Sequence, residues 1–281
     1  MSRPRAVLSC MLLPFMLLTT GAASEDRAGF LSPGEFDVSK LLEPAPRRGD
    51  PRYEADRKIF RATRALQGTP RWQLAASDVD TSPTAMLRKF SCAVGIELTP
   101  QDAPKLAELV RRASLDTVGQ MSIAKETFAR ARPFTIDRGA ICQPVDALID
   151  RRHDRMSYDY PSGHTTLGWT WALVLSAALP DRAQQILARG RAYGESRYVC
   201  GAHNKSAVEA AFYAASATMT VVATKPAYQS ALDEVRDEVA SLRRSAPRPS
   251  KSACAQEQAL TTGNAISRLY RTDERPKRQR Q

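Results

Sequence analysis

Histidine and cysteine are scarce in this 281-residue chain, with three and five copies. No Cys-x-x-Cys pair occurs, so a structural zinc site is not expected. After the first two dozen residues no stretch reaches 18 apolar residues in a row, so no membrane-spanning helix is expected either. No segment alternates apolar and polar residues as a half-buried strand would, and no internal repeat is visible. Acids are the minority charge: 30 Asp and Glu stand against 41 Lys and Arg, a formal net charge of +11.

The first apolar run is short. Arg3 and Arg5 precede Ala6 to Leu18, and Gly21-Ala22-Ala23-Ser24 offers small residues for cleavage after Ala23 or Ser24. A run of about 13 residues falls short of the ~20 that a spanning helix needs, so residues 1–23 read as an export signal peptide. Its removal deletes two arginines and no acid, which takes the charge from +11 to +9. The mature chain is expected in the periplasm or secreted. There the four remaining cysteines, Cys92, Cys142, Cys200 and Cys254, suggest disulfides. Spacing leaves three pairings open. Cys142 with Cys200 is favoured because both sit just beyond motifs that must converge.

Much of the basic excess lies in Arg271, Arg275, Lys277, Arg278 and Arg280. A polar, charge-rich tail of this kind reads as solvated and disordered, so specific nucleic-acid binding is not expected. The organisation expected is a signal peptide (1–23), an extended arm (24–50), one helical domain (51–245) and a basic tail (246–281).

Within the domain the apolar spacing is helical. Helices are expected over Arg52–Leu66, Arg71–Val79 and Ser82–Val94, then from Thr99 through Val110 and on from Ser114 to Arg130, with Pro133 as the stop. Residues 134–161 read as loop. A helix begins at Tyr160-Pro161-Ser162-Gly163-His164 and runs through Leu175; it is apolar nearly all round, so it should be the buried core helix. Further helices are expected over Pro180–Gly194, Lys205–Ala223 and Tyr228–Arg244. The fold class expected is all-α, a single-domain bundle around that central helix.

Three segments share one chemistry. Lys125 and Arg132 are seven apart, which on a continuous helix places both on one face. Ser162 is a good N-cap and Gly163 permits close backbone approach, so the start of the core helix is suited to an oxyanion. Arg197 adds a planar fork that matches phosphate oxygens. His203 is assigned as the nucleophile that attacks phosphorus, and His164 as the acid that protonates the leaving alcohol. No metal or cofactor is required, because the cationic groups already meet the charged oxygens. His153, in an Arg/Asp-rich stretch, reads as a surface residue.

These motifs in this order resemble the bacterial class A nonspecific acid phosphatases of the type 2 phosphatidic acid phosphatase superfamily, which shares its site with the vanadium haloperoxidases. That family carries K-x6-R-P, then P-S-G-H, then S-R-x5-H-x3-D. Lys125, Arg132 and Pro133 match the first part. Pro161 to His164 match the second, and Ser196, Arg197 and His203 the third. Thr69 to Trp72 and Gly194 to Gly201 look like the same class. The resemblance covers roughly residues 50–225. It implies an all-helical, secreted, metal-independent enzyme that acts on small phosphomonoesters at acid pH and often forms homodimers.

One position departs from the pattern. The resemblance puts an orienting aspartate where this chain has Ala207. Glu209, Ser206, Asn204, a backbone carbonyl or an acid from elsewhere (Asp159, Glu126 or Glu195) are the candidates to take its place. A second reading follows from the same departure, a catalytically impaired phosphate- or polyanion-binding protein.

Overall fold

The computed structural model describes residues 28–263 and 265–267. The signal-peptide and basic-tail expectations for residues 1–23 and 268–281 therefore lie outside the described residues.

Proline writes much of the helix punctuation. Pro51, Pro70, Pro83 and Pro104 open α1 (Pro51–Thr63), α2 (Pro70–Ser77), α3 (Pro83–Val94) and α4 (Pro104–Phe128). Proline suits this position because its missing N–H would be unpaired there anyway. Asp50, Thr69 and Ser82 stand just before the first three, and each side chain accepts a first-turn N–H. Then follow the core helix α5 (Gly163–Ala178), α6 (Ala183–Cys200), α7 (Lys205–Val222), α8 (Pro226–Ser245) and α9 (Lys251–Thr261). The fold is helical, as the spacing indicates. Among the described residues the strands are a two-residue pair, β1 (Ile149–Asp150) and β2 (Arg155–Met156), antiparallel with Ile149 opposite Met156. Two residues are too few to show alternation in sequence.

α5 is the axis of the bundle. Trp171, Ala172, Val174 and Leu175 on it are buried against α4, α6, α7 and α8. Its contact with α6 is close because glycine stands at the crossing. A Cβ on Gly168 would lie 2.1 Å from the Tyr193 ring, one on Gly190 2.5 Å from Ala172 Cβ, and one on Gly194 2.8 Å from Thr165 Cγ2. This approach draws the Ser162–His164 turn and the Arg197 segment together. α8 closes the bundle with Leu232, Val235 and Val239, whose burial stabilises it by roughly 1.5–3 kcal/mol per fully buried side chain.

The expected arm is held down over residues 28–50. Asp116 on α4 accepts the Phe30 N–H at 2.7 Å, and Gln120 accepts that of Val38 at 2.9 Å. Phe30 meets Tyr228 edge to face. The disorder expected from residue 246 onward is corrected over 251–261. There Ser250 caps α9, and the Cys92–Cys254 disulfide ties that helix to α3. The Cys142–Cys200 disulfide is present, as favoured from the sequence. Among the described residues no single helix is long and apolar enough to cross a membrane.

Candidate active site

The first segment does not lie on one helix face. Ala129 adopts a left-handed conformation, φ 46°, and ends α4 four residues before Pro133. Lys125 thus sits in the last turn of α4, while Arg132 stands beyond it on an extended residue that precedes a short 3-10 turn. The two cations converge through this turn of the chain, not through helical periodicity.

Both are anchored on the loop that leads to α5. The Lys125 ammonium donates to the Tyr158 carbonyl. Arg132 donates through Nε to the Ser157 carbonyl at 2.7 Å, through Nη2 to Ser157 Oγ at 2.8 Å, and through Nη1 to the Ala202 carbonyl at 2.8 Å. Arg155 pins this loop to α4, pairing with Glu126 at 2.8 Å and lying over the Tyr158 ring. Burial, and then the Arg132 charge, pull the Lys125 pKa down to about 7. Burial also lowers Arg132 and Arg197 to about 10, so both stay charged.

Arg197 is completely buried on α6. Its Nη2 donates to Gln143, next to the Cys142–Cys200 bridge. Its Nε and Nη1 are buried with no hydrogen-bond partner. A buried guanidinium with two idle donors is costly in isolation and is what an anion would satisfy. Ser196, in contrast, faces away from the site. It donates to Asp78 at 2.7 Å and accepts from Arg71, in a buried polar cluster that braces α6.

Ser162 caps α5 as expected: its Oγ accepts the Thr165 N–H at 3.4 Å and the Thr165 hydroxyl at 2.9 Å. Its own N–H donates to the Ala207 carbonyl at 3.0 Å, which fixes the start of α5 on the first turn of α7. The amides of Gly163 and His164 have no carbonyl one turn back within the helix, so they add donors at a positive helix end.

The two histidines have distinct surroundings. His164 Nε2 lies 3.0 Å from the Val79 carbonyl. A carbonyl only accepts, so the neutral ring carries its proton on Nε2. His203 is buried on the turn between α6 and α7. Its Nε2 lies 3.1 Å from Arg132 Nη1, and its Nδ1 lies 2.7 Å from the Asp159 carbonyl and 3.0 Å from Asp159 Oδ1. Arginine only donates and both Asp159 oxygens only accept, so the neutral ring holds its proton on Nδ1 and a lone pair on Nε2. Burial first, then the guanidinium charges, push both imidazoles well below 6.5. The charges of Arg132 and Arg197 act on each of them.

All seven residues singled out from the sequence thus meet at one place: Lys125, Arg132, Ser162, Gly163, His164, Arg197 and His203. Sequence reasoning did not find Gln143, Ser157 or Tyr158, whose parts are amide, hydroxyl or carbonyl contacts with no motif to mark them. His153 lies on the surface beside Asp150, 2.9 Å away. Among the described residues no cluster of three His, Cys, Asp or Glu side chains is arranged to hold a metal.

A family model described as the PAP2 superfamily matches residues 113–230, a span that includes all seven. The chain is 36% identical over 228 residues to a protein of Salmonella typhimurium named non-specific acid phosphatase, covering 80% of this chain and 89% of that one. It is 37% identical over 223 residues to a protein of Zymomonas mobilis named acid phosphatase, covering 79% and 83%. A Providencia stuartii protein named non-specific acid phosphatase is 35% identical over 213 residues.

Proposed function

The chain belongs to the PAP2 superfamily, and from that premise we propose that it is an acid phosphatase that hydrolyses small phosphate monoesters through a phosphorylated His203. The observation that carries this reading is the buried Arg197, with Nε and Nη1 unpartnered, beside two neutral imidazoles. The names of the relatives support the same reaction class.

The phosphate oxygens take hydrogen bonds from Arg197, Arg132, Lys125 and the amides at the start of α5. In the first step the Nε2 lone pair of His203 forms a bond to phosphorus. The P–O ester bond breaks, and its electron pair leaves with the alcohol oxygen, which takes a proton from protonated His164. In the second step water attacks phosphorus and gives a proton to His164. The P–N bond breaks, and the pair returns to Nε2. An alcohol in place of water would yield phosphotransfer. The cations meet the charge on the equatorial oxygens in both steps.

The acid preference has a physical cause. Burial and the guanidinium charges hold His164 neutral in the empty site. A bound phosphate opposes those charges and favours the protonated ring, and a more acid medium completes the protonation. The two disulfides and the leader-like residues 1–23 support action in an oxidising compartment outside the cytoplasm.

The test is an alkali-quenched reaction of wild type and His203→Ala with a phosphomonoester, followed by acid or alkaline treatment of the denatured protein. An acid-labile, base-stable phosphate on His203, with turnover lost in the variant, is the result expected. Equal rates in the two proteins would sink the mechanism. Phosphate binding by wild type with no turnover at any pH would instead favour the anion-binding reading.

A further inference from the structure

We propose that the carboxylate of Asp159 is the positioning group for His203, acting from the loop before α5 in place of a residue on the histidine's own side of the chain. The proposal deepens the phosphatase reading and rests on it. Asp159 is wholly buried, and its Oδ1 stands 3.0 Å from His203 Nδ1. The remaining contacts of this carboxylate are donors. Oδ1 also takes the Asn204 N–H at 3.1 Å, Oδ2 takes the Asn204 amide at 2.8 Å, and Arg130 Nη1 lies 3.6 Å from Oδ2.

Those contacts fix the carboxylate on two sides. Asn204 is the residue just before α7, so the acid sits at the positive end of an 18-residue helix. Arg130 is held in turn by Asp56 at 2.9 Å and by Ser206 Oγ at 2.6 Å, and its carbonyl accepts the Asp159 N–H at 2.8 Å. The carboxylate therefore has one orientation, and that orientation points an oxygen at Nδ1.

The other candidates are engaged elsewhere. Glu209 pairs with Lys205 on the surface, Glu126 with Arg155, and Glu195 with Arg191. The Ser206 hydroxyl is given to Asp56. Ala207 has only a methyl group, packed with Tyr160, Ala124 and Ala210. As Nε2 bonds to phosphorus, the ring gains positive charge, and the Asp159 carboxylate lies where the Nδ1–H carries that charge. The backbone carbonyl of Asp159, at 2.7 Å, fixes the tautomer as well but supplies no full charge. The carboxylate and the carbonyl thus make separable contributions.

The experiment compares wild type, Asp159→Asn, Asp159→Ala, Ala207→Asp and the Asp159→Ala/Ala207→Asp pair. In the serine-protease triad, loss of the analogous carboxylate costs about 10⁴ in rate. Because the Asp159 carbonyl remains in every variant, a smaller fall in kcat of about 10²-fold or more is expected, with KM little changed. The acid limb of the kcat/KM profile should move to lower pH in Asp159→Asn, since a negative charge that favours the protonated ring is gone. Ala207→Asp alone should bring no gain, and in the double variant it should restore activity at least about tenfold over Asp159→Ala. A melting temperature that still rises with inorganic phosphate shows that each variant keeps its fold.

Activity of Asp159→Ala within about fivefold of wild type, or an unmoved pH profile, would overturn the proposal in favour of the backbone carbonyl. So would a tenfold or larger gain from Ala207→Asp alone. Failure of the phosphatase reading looks different, because wild type would then be silent at every pH. In that case the downfield Nδ1–H proton resonance of His203 decides. Its shift in Asp159→Asn supports the contact, and an unchanged resonance removes it.

Discussion

Replacing Arg197 with methionine is expected to destroy activity while raising the melting temperature of the phosphate-free protein. Two donors on Arg197, Nε and Nη1, are buried without partners. Each unsatisfied buried donor costs about 1–3 kcal/mol. Methionine removes both but orphans the Gln143 oxygen that Nη2 now engages, which returns about one such cost. The net gain is about 1–3 kcal/mol, and at about 2–4 °C per kcal/mol for a domain of this size it corresponds to about 2–12 °C. Methionine also fills less volume, so the lower half of that range, about 2–7 °C, is expected.

The same two donors are worth about 1.5–3 kcal/mol each to a bound phosphate, a loss of about 10²–10⁴ in kcat/KM. Scanning calorimetry with and without inorganic phosphate reads the first half, and initial rates on a phosphomonoester read the second. Wild type should gain about 2.7 kcal/mol at a phosphate concentration of about 100 times Kd, and Arg197→Met far less. A variant that melts below wild type in phosphate-free buffer and keeps activity within about fivefold would refute the argument that these donors wait for an anion.

Three further outcomes follow from the same structure. His164 and His203 are held neutral in the fold, so below 6.5 the unfolded chain binds more protons and stability falls with falling pH. The slope is up to about 1.4 kcal/mol per pH unit for each ring until the folded rings titrate; urea unfolding from about pH 8 to about pH 5 without phosphate measures it, and a flat profile would contradict the assigned burial. Opening the Cys142–Cys200 bridge, which closes 58 residues, should cost about 4 kcal/mol and also lower kcat/KM, because Gln143 and the turn to His203 adjoin it. The Cys92→Ser/Cys254→Ser pair should release α9 with little effect on activity; equal activity losses in the two disulfide variants, read beside their urea midpoints, would contradict that division.

The bundle and the seven converging side chains were legible because they rest on local signals: helical spacing, proline after a cap, and three motifs in order. What escaped was decided by distant contacts. Nothing in an alanine announces the left-handed turn at Ala129, so Lys125 and Arg132 read as one helix face. α9 hides in a polar stretch and is held by a cysteine 162 residues away. Asp159 appeared in the sequence as one of several acids able to serve His203. Only the burial of the loop beneath Arg130 and Asn204 selects it.

The hydrogen-bonding anchors of the three cations gathered at the site are neutral. Lys125 rests on the Tyr158 carbonyl, Arg132 on the Ser157 and Ala202 carbonyls, and Arg197 on Gln143. Dipoles fix direction without cancelling charge, and the one carboxylate that acts on Lys125 and Arg132 together, Asp159, leaves positive charge in excess, so the cradle takes a further counter-ion from solution. Inorganic phosphate offers that cradle the same oxygens as the ester from which it was cut. The end of each catalytic cycle therefore leaves a good ligand in place, and escape of product competes with entry of the next ester. Such a site throttles itself as free phosphate accumulates around it and works fastest where phosphate is scarce.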